Sequence, residues 1–375
     1  MVRDMSKVLN TSAVQKALSE KGWTQAQLAK EVGVSSQSVT NWMRDEGFPR
    51  PAALLKLALQ LKLNFDELVK QPSLDEPIIA FRKKAGTKTK DHHYSEAREK
   101  GLLLGRLAKH IKNTTQIRAK ITNPTTEYEP LQALASEVRE RIKLGATSAL
   151  KYSQLISEFK SNGSVLIPTL WGEQQSHANA LHIRLPKTDL TFIFLNLDTR
   201  PEDFKFWMAH ELAHVYTPDL SGTDKGEDFA DAFAGALLFP KACAELVYKE
   251  IQLSNSDKEI VILSKYAKEH HISLFSVFEE VNKFATALGA PVLSTDSLDI
   301  HKIRARNKVL VSERLFKPSP PEVMEYISLC EKEFDPTFFN ALRQMIRDGV
   351  EAPYIQQVLG VSKLDSIAIH QELAP

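Results

Sequence analysis

Apolar positions recur at helical spacing through the N-terminal part of the chain: Val14 and Leu18; Leu28, Ala29 and Val32; Val39 and Trp42; Leu54, Leu55, Ala58 and Leu61. Side chains three and four apart share one helix face, so residues 8–70 are expected to form a compact bundle of short helices. Gly33 separates the second helix from the third. Thr24 and Ser35 stand where N-caps belong, because a hydroxyl there accepts from the N–H groups that a helix start leaves unpaired. Gln71-Pro72-Ser73 and Pro77 mark a boundary after this bundle.

Beyond the boundary, Leu103, Leu104, Leu107, Ala108 and Ile111 form a helical stripe, and Leu134, Val138, Ile142, Leu150, Leu155 and Ile156 mark helix over about 131–159. The texture then changes. Val165-Leu166-Ile167 and Thr191-Phe192-Ile193-Phe194-Leu195 are short apolar runs bounded by Gly, Pro and Asp, and Leu181 to Leu185 alternates. These read as three strands of a small antiparallel sheet. A helix over about 201–216 follows, then a polar loop, then a helix over about 227–238 that ends near Pro240. The remainder reads as mostly helical, with Ile355 to Leu373 suggesting a helix pair; no internal repeat is evident. The expected organisation is 1–71 as a first domain, 72–160 as a helical connecting region, 161–290 as a domain containing the sheet, and 291–375 as a helical C-terminal region.

A chain of 375 residues accommodates two or three domains at roughly 100–200 residues each. Its 43% hydrophobic and 25% charged residues fit a water-soluble globular protein. The net charge of +1 gives no global electrostatic case for nucleic acid or membrane, so local patterning must carry it. Residues 82–120 hold twelve Lys or Arg against three acids, read first as a solvated helix face and second as backbone contacts to DNA. The two cysteines, Cys243 and Cys330, exclude a disulfide framework and a cysteine zinc cage, and they suit a reducing cytoplasm. No apolar run reaches the ~18–20 residues of a membrane span and the N-terminus shows no secretory h-region, so a cytoplasmic protein with no membrane partner is expected.

Chemistry concentrates in His210-Glu211-Leu212-Ala213-His214, an H-E-x-x-H pentad. On a helix the two imidazoles share a face and can converge on one ion, while Glu211 sits where it can reach a water at the metal and act as general base. A catalytic zinc needs a third protein ligand, and the downstream acids are Asp219, Asp224, Glu227, Asp228 and Asp231. Glu227 and Asp231 are four apart on the next helix, which favours Glu227 as ligand and Asp231 as acceptor for a ligand imidazole. The competing account is that both are acids favoured near a helix N-terminus by the macrodipole. His177, His182 and Tyr216 are weighed as oxyanion stabilisers and left as structural.

Phe192 to Asn196, Phe206 to His214, Glu227 to Ala234 and Leu237-Leu238-Phe239-Pro240 together resemble the ImmA/IrrE metallopeptidase domain. In that family a strand ending in Asn precedes the H-E-x-x-H helix, and an acidic ligand lies thirteen residues before the Pro of a Leu-Leu-Met-Pro-like ending. Counting back from Pro240 gives Glu227. Asp231 stands where Asn is common, and Phe239 replaces the usual Met. The resemblance covers about 165–290, with Phe81-Arg82-Lys83 as an earlier point of similarity. It implies a zincin-like fold with Zn2+ as cofactor, Mn2+ being the alternative ion.

Thr24 to Ser35 carries the small-residue and Gly pattern of a helix-turn-helix, in which Ala29 allows close approach and Gly33 makes the turn. The next helix buries Val39 and Trp42 and offers Gln37, Ser38, Thr40, Asn41 and Arg44 on its other face, short polar groups suited to a major groove. Residues 8–70 resemble the Cro/repressor type of the XRE family. That pattern implies base-reading roles for Ser36, Gln37 and Asn41 and a phosphate contact for Gln25, with Arg44 or Arg50 adding others. A helical bundle used only for protein contacts is the competing account.

The fold expected is therefore multidomain and mainly α: a five-helix helix-turn-helix domain, then a small α+β zincin-like domain with a short antiparallel sheet and a helical C-terminal part. The function expected is a DNA-binding transcriptional regulator whose zinc metalloendopeptidase domain cleaves a repressor-type protein, this chain's own N-terminal domain included, in a stress, phage or mobile-element circuit. Its partners would be a double-stranded operator, that repressor and, for palindromic half-sites, a second copy as homodimer. The alternative is a non-catalytic repressor or antitoxin-like regulator whose zinc domain is a sensor or dimerisation module.

Overall fold

The computed structural model describes residues 8–43, 47–70, 77–83, 91–112, 118–170, 178–254, 258–304 and 309–375. They fall into two units, residues 1–76 and 77–375. In the first, β1 (Val8–Leu9) leads into α1 (Thr11–Lys21), α2 (Gln25–Val32), α3 (Ser36–Met43), α4 (Pro51–Leu61) and α5 (Phe65–Leu68), and β2 (Val69–Lys70) returns to pair antiparallel with β1. The apolar stripes close on one another, with Val14, Leu18, Leu28, Val32, Val39 and Leu57 buried together. Thr24 caps α2 reciprocally: its Oγ1 accepts from the Gln27 N–H at 3.2 Å, and its own N–H donates to Gln27 Oε1 at 2.7 Å. Ser35 Oγ accepts from the Ser38 N–H at 3.1 Å. Gly33 adopts φ 75° and its N–H donates to Ala29 O, a conformation that disfavours any residue with a Cβ. The two-residue ribbon β1–β2 is too short to leave an alternating pattern, so periodicity did not foretell it.

The second unit contains β3 (Ile78–Lys83), α6 (Asp91–Leu107), α7 (Tyr128–Arg141), α8 (Tyr152–Ser161), β4 (Ser164–Thr169), β5 (Ala178–Leu185), β6 (Leu190–Asn196), α9 (Pro201–Tyr216), α10 (Asp224–Leu238), α11 (Lys241–Gln252), α12 (Glu259–His270) and α13 (Leu274–Ala287). The helices α14 (Ser297–Arg304), α15 (Val311–Leu315), α16 (Val323–Glu333), α17 (Thr337–Arg347), α18 (Ala352–Leu359) and α19 (Lys363–Leu373) complete it. Leu104, Leu131, Val138 and Phe159 share one buried cluster with Phe192, Phe194 and Phe233. The helices before the sheet and those after it thus enclose the same core.

The sheet corrects the antiparallel expectation. It has four strands in the order β3-β5-β6-β4, and β4 runs parallel to β6, from Ser164 beside Thr191 to Thr169 beside Asn196. The β5–β6 hairpin occupies one side of β6 and leaves the other to β4. Every residue of β4 and β6 is buried. Strands covered on both faces read as continuous apolar runs, the mark of parallel pairing. The fourth strand, β3, holds the far edge, with Ala80 paired to His182.

Two buried cations tie helix ends together. Arg139 donates to Leu237 O at 2.8 Å, Gly145 O at 2.7 Å and Ser148 O at 2.6 Å, and Lys205 Nζ donates to His270 O at 2.6 Å. The partners Leu237 and His270 lie at the C-terminal ends of α10 and α12, where the helix dipole is negative.

The last two helices repeat the punctuation of α2 and α3. Gly360-Val361-Ser362 matches Gly33-Val34-Ser35, Gly360 adopts φ 70°, and Ser362 Oγ accepts from the Asp365 N–H at 3.1 Å. A short internal echo is therefore present where no repeat was expected.

Candidate functional site

Helix α9 starts on Pro201 with Glu202 and Asp203 in its first turn, where acids suit the positive end of the dipole. Its middle is enclosed almost all round: Met208, Ala209, His210, Glu211, Leu212, Ala213 and His214 are all buried. Three polar side chains inside such a helix must find partners, since burying them unpaired costs several kcal/mol. Helix α10 supplies two of those partners. Thr223 caps it by accepting from the Gly226 N–H at 3.0 Å, and the absence of a Cβ at Gly226 lets its first turn press on the Leu220 carbonyl.

His210 Nε2 and His214 Nε2 are 3.1 Å apart. Glu227 faces both, with Oε2 3.4 Å from His210 Nε2 and Oε1 3.3 Å from His214 Nε2. Ligand atoms around a tetrahedral zinc at ~2.0–2.1 Å lie roughly 3.3 Å from one another, so the three groups fit such an ion. The tautomer fits as well. His210 Nδ1 lies 2.8 Å from Asp231 Oδ1, and a carboxylate accepts only, so Nδ1 carries the proton and Nε2 keeps its lone pair. Burial opposes ionisation of Glu227, but its contacts with the imidazoles of His210 and His214 outweigh it and hold the carboxyl well below the usual range. Two nitrogens, one carboxylate and no thiol suit zinc and tolerate manganese. Among the described residues this is the one cluster of three or more such groups able to hold a metal ion.

Glu211 does not join the triad. Its Oε2 lies 3.2 Å from Nδ1 of His182 on β5, and both side chains are buried. Burial works to raise the Glu211 carboxyl, but the His182 hydrogen bond and the nearby imidazoles of His214 and His210 bring it below its ordinary value. Burial pushes the His182 imidazole down. Both directions favour a neutral imidazole beside a carboxylate. In the sequence His182 is a lone His inside an apolar strand, expected to be structural, and that is the one signal of this contact. Tyr216 is turned elsewhere, donating to the Glu158 carboxylate at 2.5 Å and accepting from Arg141 at 2.7 Å. That network fastens the end of α9 to α7 and α8. His177 lies outside the described residues, and Asp219, Asp224 and Asp228 are exposed and stand outside the triad.

In the first unit, Ser36 and Gln37 open α3 and are exposed, and Asn41 follows one turn later. Gln37 Nε2 donates to Asn41 Oδ1 at 2.7 Å, which ties the two amides together on α3. Gln25 is the first residue of α2. Arg44 lies outside the described residues.

Residues 14–68 match the family model described as Helix-turn-helix, and residues 173–277 match the peptidase family described as IrrE N-terminal-like domain. No curated protein and no solved structure matches the chain. The chain thus fuses an XRE-type helix-turn-helix domain to an IrrE-like peptidase-family domain. The second match spans His182, the triad, Glu211 and Asp231 but excludes β3 and β4. No helix among the described residues is long and apolar enough to cross a membrane.

Proposed function

We propose that this chain is a DNA-binding transcriptional regulator whose second unit is a zinc-dependent endopeptidase acting on a repressor-type protein. The observation that carries the reading is the approach of His210 Nε2, His214 Nε2 and Glu227 to within 3.1–3.4 Å of one another, beside the buried carboxylate of Glu211. Zinc bound there, or manganese in its place, supplies a Lewis acid for the scissile carbonyl and lowers the pKa of water toward ~7.

His210, His214 and Glu227 would hold the ion, and Asp231 would fix the His210 ring with its Nε2 lone pair inward. Glu211, kept ionised, takes a proton from the attacking water and delivers it to the departing amine nitrogen. In the first unit, Ser36, Gln37 and Asn41 read base edges, while Gln25 and Arg44 contact phosphates. DNA as a partner places the working compartment in the cytoplasm, and paired half-sites call for a homodimer. A reader and a cutter in one chain make another DNA-bound regulator, or this chain's own N-terminal unit, the natural substrate.

The test loads purified wild type and Glu211→Gln with zinc and measures metal per chain. Both are then incubated with a proteome-derived peptide library, and all cleavages, including those in the chain itself, are mapped by mass spectrometry. Wild type is expected to hold one zinc and cut; Glu211→Gln is expected to hold one zinc and cut nothing. A wild type that resists zinc, or that binds it and leaves every peptide and itself intact, reduces the chain to a regulator without turnover.

A further inference from the structure

We propose that His182 is the positioning residue of the base Glu211, an inference that rests on the peptidase reading above. The geometry is specific. His182 sits inside the sheet, its backbone paired with Ala80 of β3 on one side and Ile193 of β6 on the other. His182 is 1% exposed, as is Glu211, and its Nδ1 stands 3.2 Å from Oε2. The two residues come from different elements, a strand and the metal-binding helix, so the contact is made by the fold and not by local sequence.

A carboxylate offers only acceptor sites, so the hydrogen bond requires the proton on His182 Nδ1. It consumes Oε2 and leaves Oε1 as the oxygen for the proton of the attacking water. A glutamate has three side-chain torsions, the last of them broad and two-fold. A donor fixed in the sheet removes that freedom and holds the carboxylate in one orientation. Catalytic geometry is sensitive at this level: misplacing a reacting group by about 1 Å costs on the order of 100-fold in rate.

The experiment uses the zinc-loaded full chain and variants at 182 and 211. His182→Leu keeps the volume and removes the donor, and His182→Asn returns an N–H close to where Nδ1 stood. Each is assayed on a quenched-fluorescence peptide copied from a site that wild type cuts in the library. His182→Leu is expected to hold one zinc per chain, to lose about 10–100-fold in kcat and to change KM little. His182→Asn is expected to recover most of that loss.

A second readout needs no substrate. Long-range proton–nitrogen NMR of the histidine-labelled chain should show His182 protonated at Nδ1 in wild type, and this preference should vanish in Glu211→Leu. An Nε2-protonated His182, full activity in His182→Leu, or equal losses in the Leu and Asn variants would each overturn the proposal. Should wild type cut nothing, the peptidase reading fails, and an Nδ1 proton on His182 would still uphold the anchoring of Glu211 while an Nε2 proton would remove it.

Discussion

Asp231 Oδ1 lies 2.8 Å from His210 Nδ1, whereas His214 Nδ1, buried on the same helix, has no hydrogen-bond partner among the described residues. The two imidazoles of the triad are therefore supported unequally, and Asp231 carries the support that exists. Replacing Asp231 by Ala is expected to weaken zinc affinity about 10–100-fold, read by competition with a chromophoric chelator. Asp231→Asn keeps a carbonyl oxygen as acceptor and should lose far less. Equal affinity in Asp231→Ala and wild type would show that the ring needs no such anchor.

Lys205 sets a pH dependence. It is 1% exposed, and burial, with Arg139 nearby as the lesser cause, lowers its ammonium to about 8. The unfolded chain keeps that proton up to about 10.5, the ordinary lysine value. Between about 8 and 10.5 the unfolded state binds more protons, so stability rises with pH across that window and is flat in this term below it. Urea unfolding at pH 7.5 and 9.5 should show wild type gaining about 2 kcal/mol more than Lys205→Met. An identical gain in both chains would mean that Lys205 is not the source.

Gly235 in α10 offers a prediction whose sign is decisive. Helix propensity alone makes Gly→Ala a gain of about 1 kcal/mol. Here a Cβ would overlap Glu280 Oε1 and come within 2.9 Å of its Cδ. Glu280 is 3% exposed and accepts from Lys283 Nζ at 2.7 Å, so it has little room to retreat. Gly235→Ala is expected to cost about 1–3 kcal/mol, and Gly235→Ala combined with Glu280→Ala should recover part of it. A stabilised single variant would refute the packing argument.

On α3, Gln37 and Asn41 hold each other through their amides. Replacing both by Ala should weaken binding to an operator selected from random duplexes by about 1–3 kcal/mol per lost base contact, with zinc content unchanged. Gln25→Ala should instead weaken all sequences alike and leave the salt dependence nearly unchanged, because a neutral amide displaces no counterion. An unaltered footprint in the double variant would take this helix out of base reading.

Local rules explain what the sequence made legible. Four-residue spacing puts His210 and His214 on one face of any helix, and the hydroxyls of Thr24 and Ser35 with Gly33 punctuate α2 and α3 by short-range chemistry alone. Spacing alone left Glu227 and Asp231 open to a helix-dipole account, and the count back from Pro240 to Glu227 belongs to the ImmA/IrrE resemblance. What escaped was non-local. The parallel β4–β6 pairing depends on which edge of β6 the hairpin leaves open, and β3 is the short apolar run Ile78–Phe81 with Arg82 and Lys83, about 95 residues before the strand it pairs with. The His182–Glu211 contact spans 29 residues, and nothing in either neighbourhood announces the other. Lys205 and Arg139 were likewise invisible as partners, because carbonyls answer them and every residue has one.

The Gly-Val-Ser turn occurs twice, at 33–35 and at 360–362, and each time it folds the same way. The outward residues that follow differ entirely. Ser36, Gln37 and Asn41 are replaced by Lys363, Leu364 and Ala368, and Leu364 is 78% exposed. Meanwhile Tyr354 on α18 bonds Leu103 O at 2.9 Å, so the C-terminal copy is bolted to α6. The turn is thus a hinge pattern with no vocabulary of its own. It dictates how two helices meet, and the side chains on the outer surface, short amides in one copy and an exposed leucine in the other, decide what the pair can touch.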